Sequence, residues 1–233
     1  MPEQKPFSLV VLISGRGSNL KAILDAIRRD QLPVVVTAVI SDTARAPGLE
    51  YARQENIDTL ALDAADYPDR GDFDRALQGL IDRFEPGLVA LAGFMRILTP
   101  AFVHHYQGRL INIHPSLLPE LRGLDTHQRA IDKGVREHGA SVHFVTEELD
   151  GGPVIVQVRV PVLPGDDAEQ LAARVLKQEH RLYPQAIRWL AEGRVSLNGE
   201  QLLFDQQPLQ QPLQSNAVES TDLFNDWVME PMK

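Results

Sequence analysis

The feature that most constrains this chain is a rhythm running through its first half. Short apolar runs alternate with amphipathic stretches of helical period. Ser8–Ile13 (SLVVLI), Val34–Ile40, Leu60–Leu62, Leu88–Ala92 and Leu110–His114 read as strands, bounded by polar or glycine-containing segments. Between them, Asn19–Arg29 carries Leu20, Ile23, Leu24 and Ile27 at helical spacing, and Gly48–Asn56 reads as a short helix. Arg70–Phe84 places Phe73, Leu77, Leu80, Ile81 and Phe84 on one side, and another short helix is expected near Pro100. Strands that alternate with helices predict a parallel sheet.

The rhythm changes after Gly139. Ser141–Thr146 and Val154–Val162 are strand-like with no helix between them, so a hairpin or mixed-sheet addition follows. Asp166–Trp189 reads as the longest helix, with Pro184 as a point of bending. In Arg194–Phe204, Asn198-Gly199 predicts a two-residue hairpin turn. The expected fold is therefore α/β, a Rossmann-like, mostly parallel sheet with helices on both faces and a mixed-sheet C-terminal part. Residues 1–204 read as a single domain. Residues 205–233, rich in Gln and Pro, read as a tail.

Composition removes several classes of function. A chain of 233 residues can bury a full core. With no cysteine there is no disulfide, thiolate metal site or Cys nucleophile, which fits a cytoplasmic location. No apolar run is long enough to span a bilayer, and the polar N-terminus lacks a signal-peptide core. A net charge of −9 argues against broad nucleic-acid binding, while leaving room for a local pocket for one anionic metabolite. Seven histidines raise the question of a metal, yet His104-His105 are adjacent and no zinc-type spacing occurs, so no catalytic metal is expected.

Two segments carry chemistry. In Asn112-Ile113-His114-Pro115, a strand would project Asn112 and His114 to the same side, and Pro115 would end it. An amide donor beside an imidazole suits a reaction that creates an oxyanion and moves a proton. Ser14-Gly15-Arg16-Gly17-Ser18-Asn19 joins the first strand to the first helix, where glycines and helix N-terminal amides commonly receive a phosphate. Leu20 stands where a dinucleotide fingerprint needs its third glycine, and no Walker Gly-Lys pair is present. The loop suits one terminal phosphate better than a pyrophosphate.

Asn112-Ile113-His114-Pro115-Ser116-Leu117-Leu118-Pro119, followed by Asp150-Gly151-Gly152-Pro153, resembles the folate-dependent formyltransferases over about Leu9 to Gly193. Within them it is most similar to the branch that formylates phosphoribosylglycinamide in purine biosynthesis. The resemblance implies 10-formyltetrahydrofolate as co-substrate and Asn112, His114 and Asp150 as catalytic residues. It implies Gly17, Ser18 and Asn19 at the substrate phosphate and Glu179 at its glycinamide. It further implies that Met95, Arg96, Ile97 and Leu98 line the folate pterin site and that Asn112 also contacts the folate. Thr146, Glu147, Glu148, Leu149 and Asp150 would border the folate, with Arg70 near its benzoyl-glutamate part.

Read without the resemblance, Arg70 is a helix-start residue, Glu147 and Glu148 belong to a solvated turn, and Glu179 is an ordinary helical carboxylate. Asp150 gains a role only if it faces His114, where a carboxylate favours and orients a protonated ring. The segment Glu120–Arg129 departs from the family pattern and corresponds to a loop that is mobile in relatives.

The expected partners are small molecules, with neither nucleic acid nor membrane, in a monomer or homodimer. Rival readings are a formyltetrahydrofolate deformylase, which in relatives carries an extra N-terminal regulatory domain, and another folate-dependent formyltransferase. One acting on transfer RNA would need a further RNA-binding domain. A non-catalytic nucleotide-binding module would leave Asn112, His114 and Asp150 unexplained.

Overall fold

The computed structural model describes residues 6–30 and 32–215. Two compact units are distinguished. The first comprises the described residues through Asn112 together with Val145–Glu147, and the second comprises Ile113–Phe144 and the described residues from Glu148 onward.

In the first unit, strands β1 (Phe7–Ile13), β2 (Val34–Ser41), β3 (Asp58–Ala61) and β4 (Leu88–Leu91) alternate with α1 (Ser18–Asp30), α2 (Leu49–Gln54) and α3 (Arg70–Asp82). After β4 come α4 (Pro100–His105) and β5 (Leu110–His114), whose last two residues enter the second unit. The pairings β4–β5, β1–β4, β1–β2 and β2–β3 are all parallel, so β1 is central. Alternation of side chains explains why these runs are apolar throughout: both faces are covered. Val10, Leu12, Ala38, Ile40, Val89 and Leu91 form one core with Phe73, Leu77 and Ile81 of α3 and Phe102 and Val103 of α4. Their opposite-facing neighbours Leu9, Val11, Ile13 and Val39 are also buried, and α1 packs on β2 through a face that buries Leu20, Ile23 and Leu24. Asp69 caps α3 and Thr99 caps α4, each side chain accepting a first-turn backbone N–H.

The second unit holds α5 (Thr126–Asp132) and the antiparallel pair β6 (Glu137–Phe144) and β7 (Val154–Pro161). It also holds α6 (Ala168–Ala191) and the hairpin β8 (Val195–Asn198) and β9 (Gln201–Phe204). Helix α6 packs on β6 and β7 and opens with a capping box between Asp167 and Gln170. It continues through Pro184 as one helix.

Three expectations need adjustment. Asn198 pairs with Gln201, so the hairpin turn is Gly199-Glu200, one residue later than Asn198-Gly199. The reason is backbone conformation: Gly199 holds φ +64, which glycine adopts without strain. Helix α5 was not anticipated. The stretch from Asp205, read as tail, carries two further strands. These are β10 (Gln207–Pro208), antiparallel to β9, and β11 (Leu213–Ser215), parallel to β7. Residues 216–233 of that tail lie outside the described residues. No helix among the described residues is long and apolar enough to cross a membrane.

Candidate active site

In the second unit, strand β5 delivers His114 to its tip, and Pro115 ends the strand. Asp150 lies in the turn after β6, at φ +50. The two side chains meet: His114 Nδ1 is 3.4 Å from Asp150 Oδ2, and each side chain is only 8% exposed. The other ring nitrogen, Nε2, lies 3.1 Å from the carbonyl oxygen of Leu121. Both ring nitrogens thus lie against oxygen atoms, which hold the imidazole from two sides. The backbone N–H of Gly123 donates to the same Asp150 Oδ2 at 2.9 Å, which helps fix the carboxylate.

A third group completes this cluster. His143 on β6 donates its Nδ1–H to the Phe144 carbonyl at 2.9 Å and presents Nε2 to Asp150 Oδ1 at 3.8 Å. Burial pushes the His143 imidazolium well below its usual range, so the ring is neutral and its Nε2 offers a lone pair. Histidine in a run of apolar strand residues was the available signal for His143, and the sequence reading left it unused.

The segment between His114 and α5 is tied down at several points. Ser116 Oγ donates to Glu120 O at 2.7 Å, and Thr126 Oγ1 donates to Pro115 O at 2.7 Å. The Arg129 guanidinium donates to Arg122 O at 2.6 Å and Leu124 O at 3.0 Å, and Arg122 forms an ion pair with Glu148. Leu121 and Asp125 hold φ +54 and +56, left-handed conformations that cost non-glycine residues energy and are sustained by these bonds. Glu179 sits on α6 and is buried, which sets it apart from an ordinary solvent-facing helical carboxylate.

In the first unit, the loop after β1 leads directly into α1, whose first residue is Ser18, and Lys21 N donates to Gly17 O at 2.9 Å to begin the helix. Gly17 holds φ +71 and is buried. A Cβ there would lie 2.7 Å from the Cα of Gly48, so the two glycines let two backbones touch. Gly48 N also donates to Gly15 O at 3.0 Å. Ser18 is half-buried and Asn19 buried at the helix start, the end that attracts anions.

The loop after β4 is pinned at both ends. Ser14 N donates to Gly93 O at 3.1 Å, and Met95 N donates to Ser14 Oγ at 2.8 Å. At the far end Thr99 N donates to the buried Asp74 carboxylate at 2.6 Å. Between these anchors Met95 and Ile97 project outward, 72% and 59% exposed, while Phe94 and Leu98 turn inward. Arg96 stacks its guanidinium 4.3 Å over the Phe73 ring. Arg70 is exposed at the start of α3. Asn112 is half-buried on β5 opposite Leu91, Thr146 is half-buried, and Glu147 pairs with His104 at 2.7 Å.

A family model described as formyl transferase matches residues 7–187. The chain belongs to the formyl transferase family. It is 54% identical over 202 residues to the Escherichia coli phosphoribosylglycinamide formyltransferase, covering 87% of this chain and 95% of that protein. A Haemophilus influenzae protein of the same name is 43% identical over 81% of this chain and 89% of its own length. Among solved structures, the phosphoribosylglycinamide formyltransferase of Coxiella burnetii superposes with a TM-score of 0.84 at 49% identity, covering 88% of this chain and 96% of that one.

Within this formyl transferase, the residues singled out from sequence fall into separate groups. His114 and Asp150 are in contact, and Gly17, Ser18 and Asn19 share one loop-to-helix junction. Met95, Arg96, Ile97 and Leu98 form one pinned loop, while Leu149 and Glu148 are exposed in the turn before Asp150. Among the described residues, no group of three or more His, Asp or Glu side chains is arranged to hold a metal ion.

Proposed function

We propose that this formyl transferase moves the formyl group of 10-formyltetrahydrofolate to the amine of 5-phosphoribosylglycinamide in purine biosynthesis. The observation that carries the reading is the His114–Asp150 contact at a strand tip in a chain 54% identical, across nearly its full length, to a phosphoribosylglycinamide formyltransferase.

The neutral amine attacks the formyl carbon, forming a C–N bond and placing negative charge on the formyl oxygen. Asn112 and protonated His114 stabilise that oxygen, His114 Nε2 exchanging the Leu121 carbonyl for the formyl oxygen as the substrate binds; losing one such donor typically costs about 3 kcal/mol of barrier. Collapse breaks the bond to the folate N10. A proton leaves the attacking nitrogen and reaches N10 by way of His114, Asp150 and a water. No covalent enzyme intermediate is required. Folate acts as a co-substrate, and the chemistry calls for no metal.

The first turn of α1, with Gly17, Ser18 and Asn19, would take the phosphate, and the buried carboxylate of Glu179 would hold the amine end of the acceptor. Met95, Arg96, Ile97 and Leu98 would receive the pterin, and Asn112 would also contact the folate. Thr146, Glu147, Glu148, Leu149 and Asp150 would border the folate, and Arg70 would approach its benzoyl-glutamate portion. Residues 1–204 would serve as one catalytic domain in a cytoplasmic monomer or homodimer.

Incubation with the folate donor tests this against the deformylase reading. Formylated acceptor should form only when phosphoribosylglycinamide is present. Rapid release of free formate without an acceptor would replace this function with hydrolysis.

A further inference from the structure

We infer that Gln157 on β7, braced by Gln214 of the C-terminal strand β11, is a positioning residue for the loop that carries the chain away from His114. The inference rests on the proposed role of His114 and adds a function for the C-terminal strand.

The loop after His114 is held by a buried polar chain. Ser116 N donates to the His114 carbonyl at 2.9 Å, so Ser116 is tied directly to the histidine. Ser141 Oγ donates to Ser116 O at 2.7 Å and accepts from Leu118 N at 3.1 Å. Gln157 Nε2 donates to Ser141 Oγ at 2.9 Å and to Leu118 O at 2.8 Å. The Ser141 hydroxyl has one donor and two acceptor positions, and all three are used. Leu118 is gripped by both its N–H and its carbonyl.

This chain settles the orientation of the Gln157 amide. Rotating it by half a turn would set its oxygen against the Leu118 carbonyl, acceptor against acceptor. With both N–H groups spent, the amide oxygen needs a donor, and Gln157 is only 4% exposed. Gln214 supplies it: its Nε2 lies 3.4 Å from Gln157 Oε1. The backbone independently places them together, because the β11–β7 ladder sets Gln214 opposite Gln157. The last link of a network that reaches His114 is therefore a residue in the segment whose composition reads as a tail. A half-satisfied buried network is looser than a complete one.

The test is a double-mutant cycle in the full chain, with Gln157→Leu, Gln214→Ala and the pair, each assayed for kcat and for KM of the phosphorylated acceptor. Gln157→Leu should lower kcat about tenfold and Gln214→Ala about threefold, on the scale of one lost hydrogen bond, with KM held within about twofold. Because Gln214 acts through Gln157, the double variant should match Gln157→Leu alone. A merely structural role for β11 would make the two effects multiply, and that result overturns the inference. So does a kcat within about twofold of wild type for Gln157→Leu.

Amide hydrogen exchange at Leu118 provides a readout free of turnover. It should accelerate in Gln214→Ala when Gln157 is present and not in the Gln157→Leu background; unchanged exchange in Gln214→Ala contradicts the brace. Product formation by the wild-type chain reports on the reaction itself, whereas the ratios among variants report on the brace.

Discussion

The loop of residues 14–19 and the cluster around His114 are built by opposite means. The first is made of backbone: a strand end, a helix start, and Gly17 at φ +71 against Gly48. The second is made of side chains, with His114 and Asp150 drawn from positions far apart in sequence. Where the backbone of the first turns left-handed, it uses glycine. The second places Leu121, Asp125 and Asp150 at positive φ, each at a cost of about 1 kcal/mol or more, and holds them with hydrogen bonds. A loop proposed to grip a phosphate can be built from local backbone, whereas a site proposed to handle protons draws its charge and geometry from several directions. Substitutions in the two regions should therefore fail differently.

The largest effect belongs to the side-chain region. His114→Ala should lower kcat by at least about a hundredfold and change KM for the phosphorylated acceptor by less than about twofold. Steady-state kinetics on protein whose circular dichroism matches wild type checks this. Retention of more than about a tenth of kcat would remove His114 from the chemistry.

The backbone region should show the converse. Gly17→Val should raise KM for the phosphorylated acceptor about tenfold while leaving KM for folate nearly unchanged. It should also lower the thermal midpoint, because the Cβ would sit 2.7 Å from the Gly48 Cα at a φ that valine disfavours. Equal rises in both KM values would mean general distortion, and the contrast between the regions would fail.

The smallest effect concerns stability. Burial pushes His138 down to about 4 from 6.5, assisted by the nearby His127 and His114 and opposed by its bond to the Pro115 backbone. Its Nε2 lies 3.2 Å from His127 Nδ1, a neutral pair in which one ring donates and the other accepts. The folded state resists a proton that the unfolded state takes up. Stability from this site is therefore complete above 6.5 and declines as pH falls towards 4. His138→Gln should narrow the difference in urea midpoint between about pH 7.5 and about pH 5, with His143 retaining part of it. An undiminished difference would assign the pH dependence elsewhere.

The same contrast governs what the sequence discloses. The strands from β1 to β5 are legible because runs such as Val34–Ile40 are apolar on both faces, a signature of a covered parallel sheet. The 14–19 loop is legible because glycine and a helix start are local signals. His114 and Asn112 stood out as polar residues at a proline-marked strand end.

What stayed hidden depends on tertiary context. Helix α5 begins after Asp125 in a left-handed conformation with no side-chain cap, and its seven residues are too few for a clear period. His143 became visible as part of the cluster only once Asp150 was placed against it. Strand β11, in Gln- and Pro-rich sequence, owes its conformation to the open edge of β7 more than to its own propensity. The shifted hairpin turn shows a local rule applied one residue early, since the ladder closes on Asn198 and leaves Gly199 to make the turn.

The most direct test of the account compares kcat/KM for phosphoribosylglycinamide and its dephosphorylated counterpart at one fixed concentration of the folate donor. If the backbone loop grips the phosphate while His114 and Asp150 conduct the chemistry, the phosphorylated acceptor should be favoured by at least about a hundredfold, the scale of a few lost charge-assisted hydrogen bonds. Comparable values for the two acceptors would contradict the division of labour between the two regions.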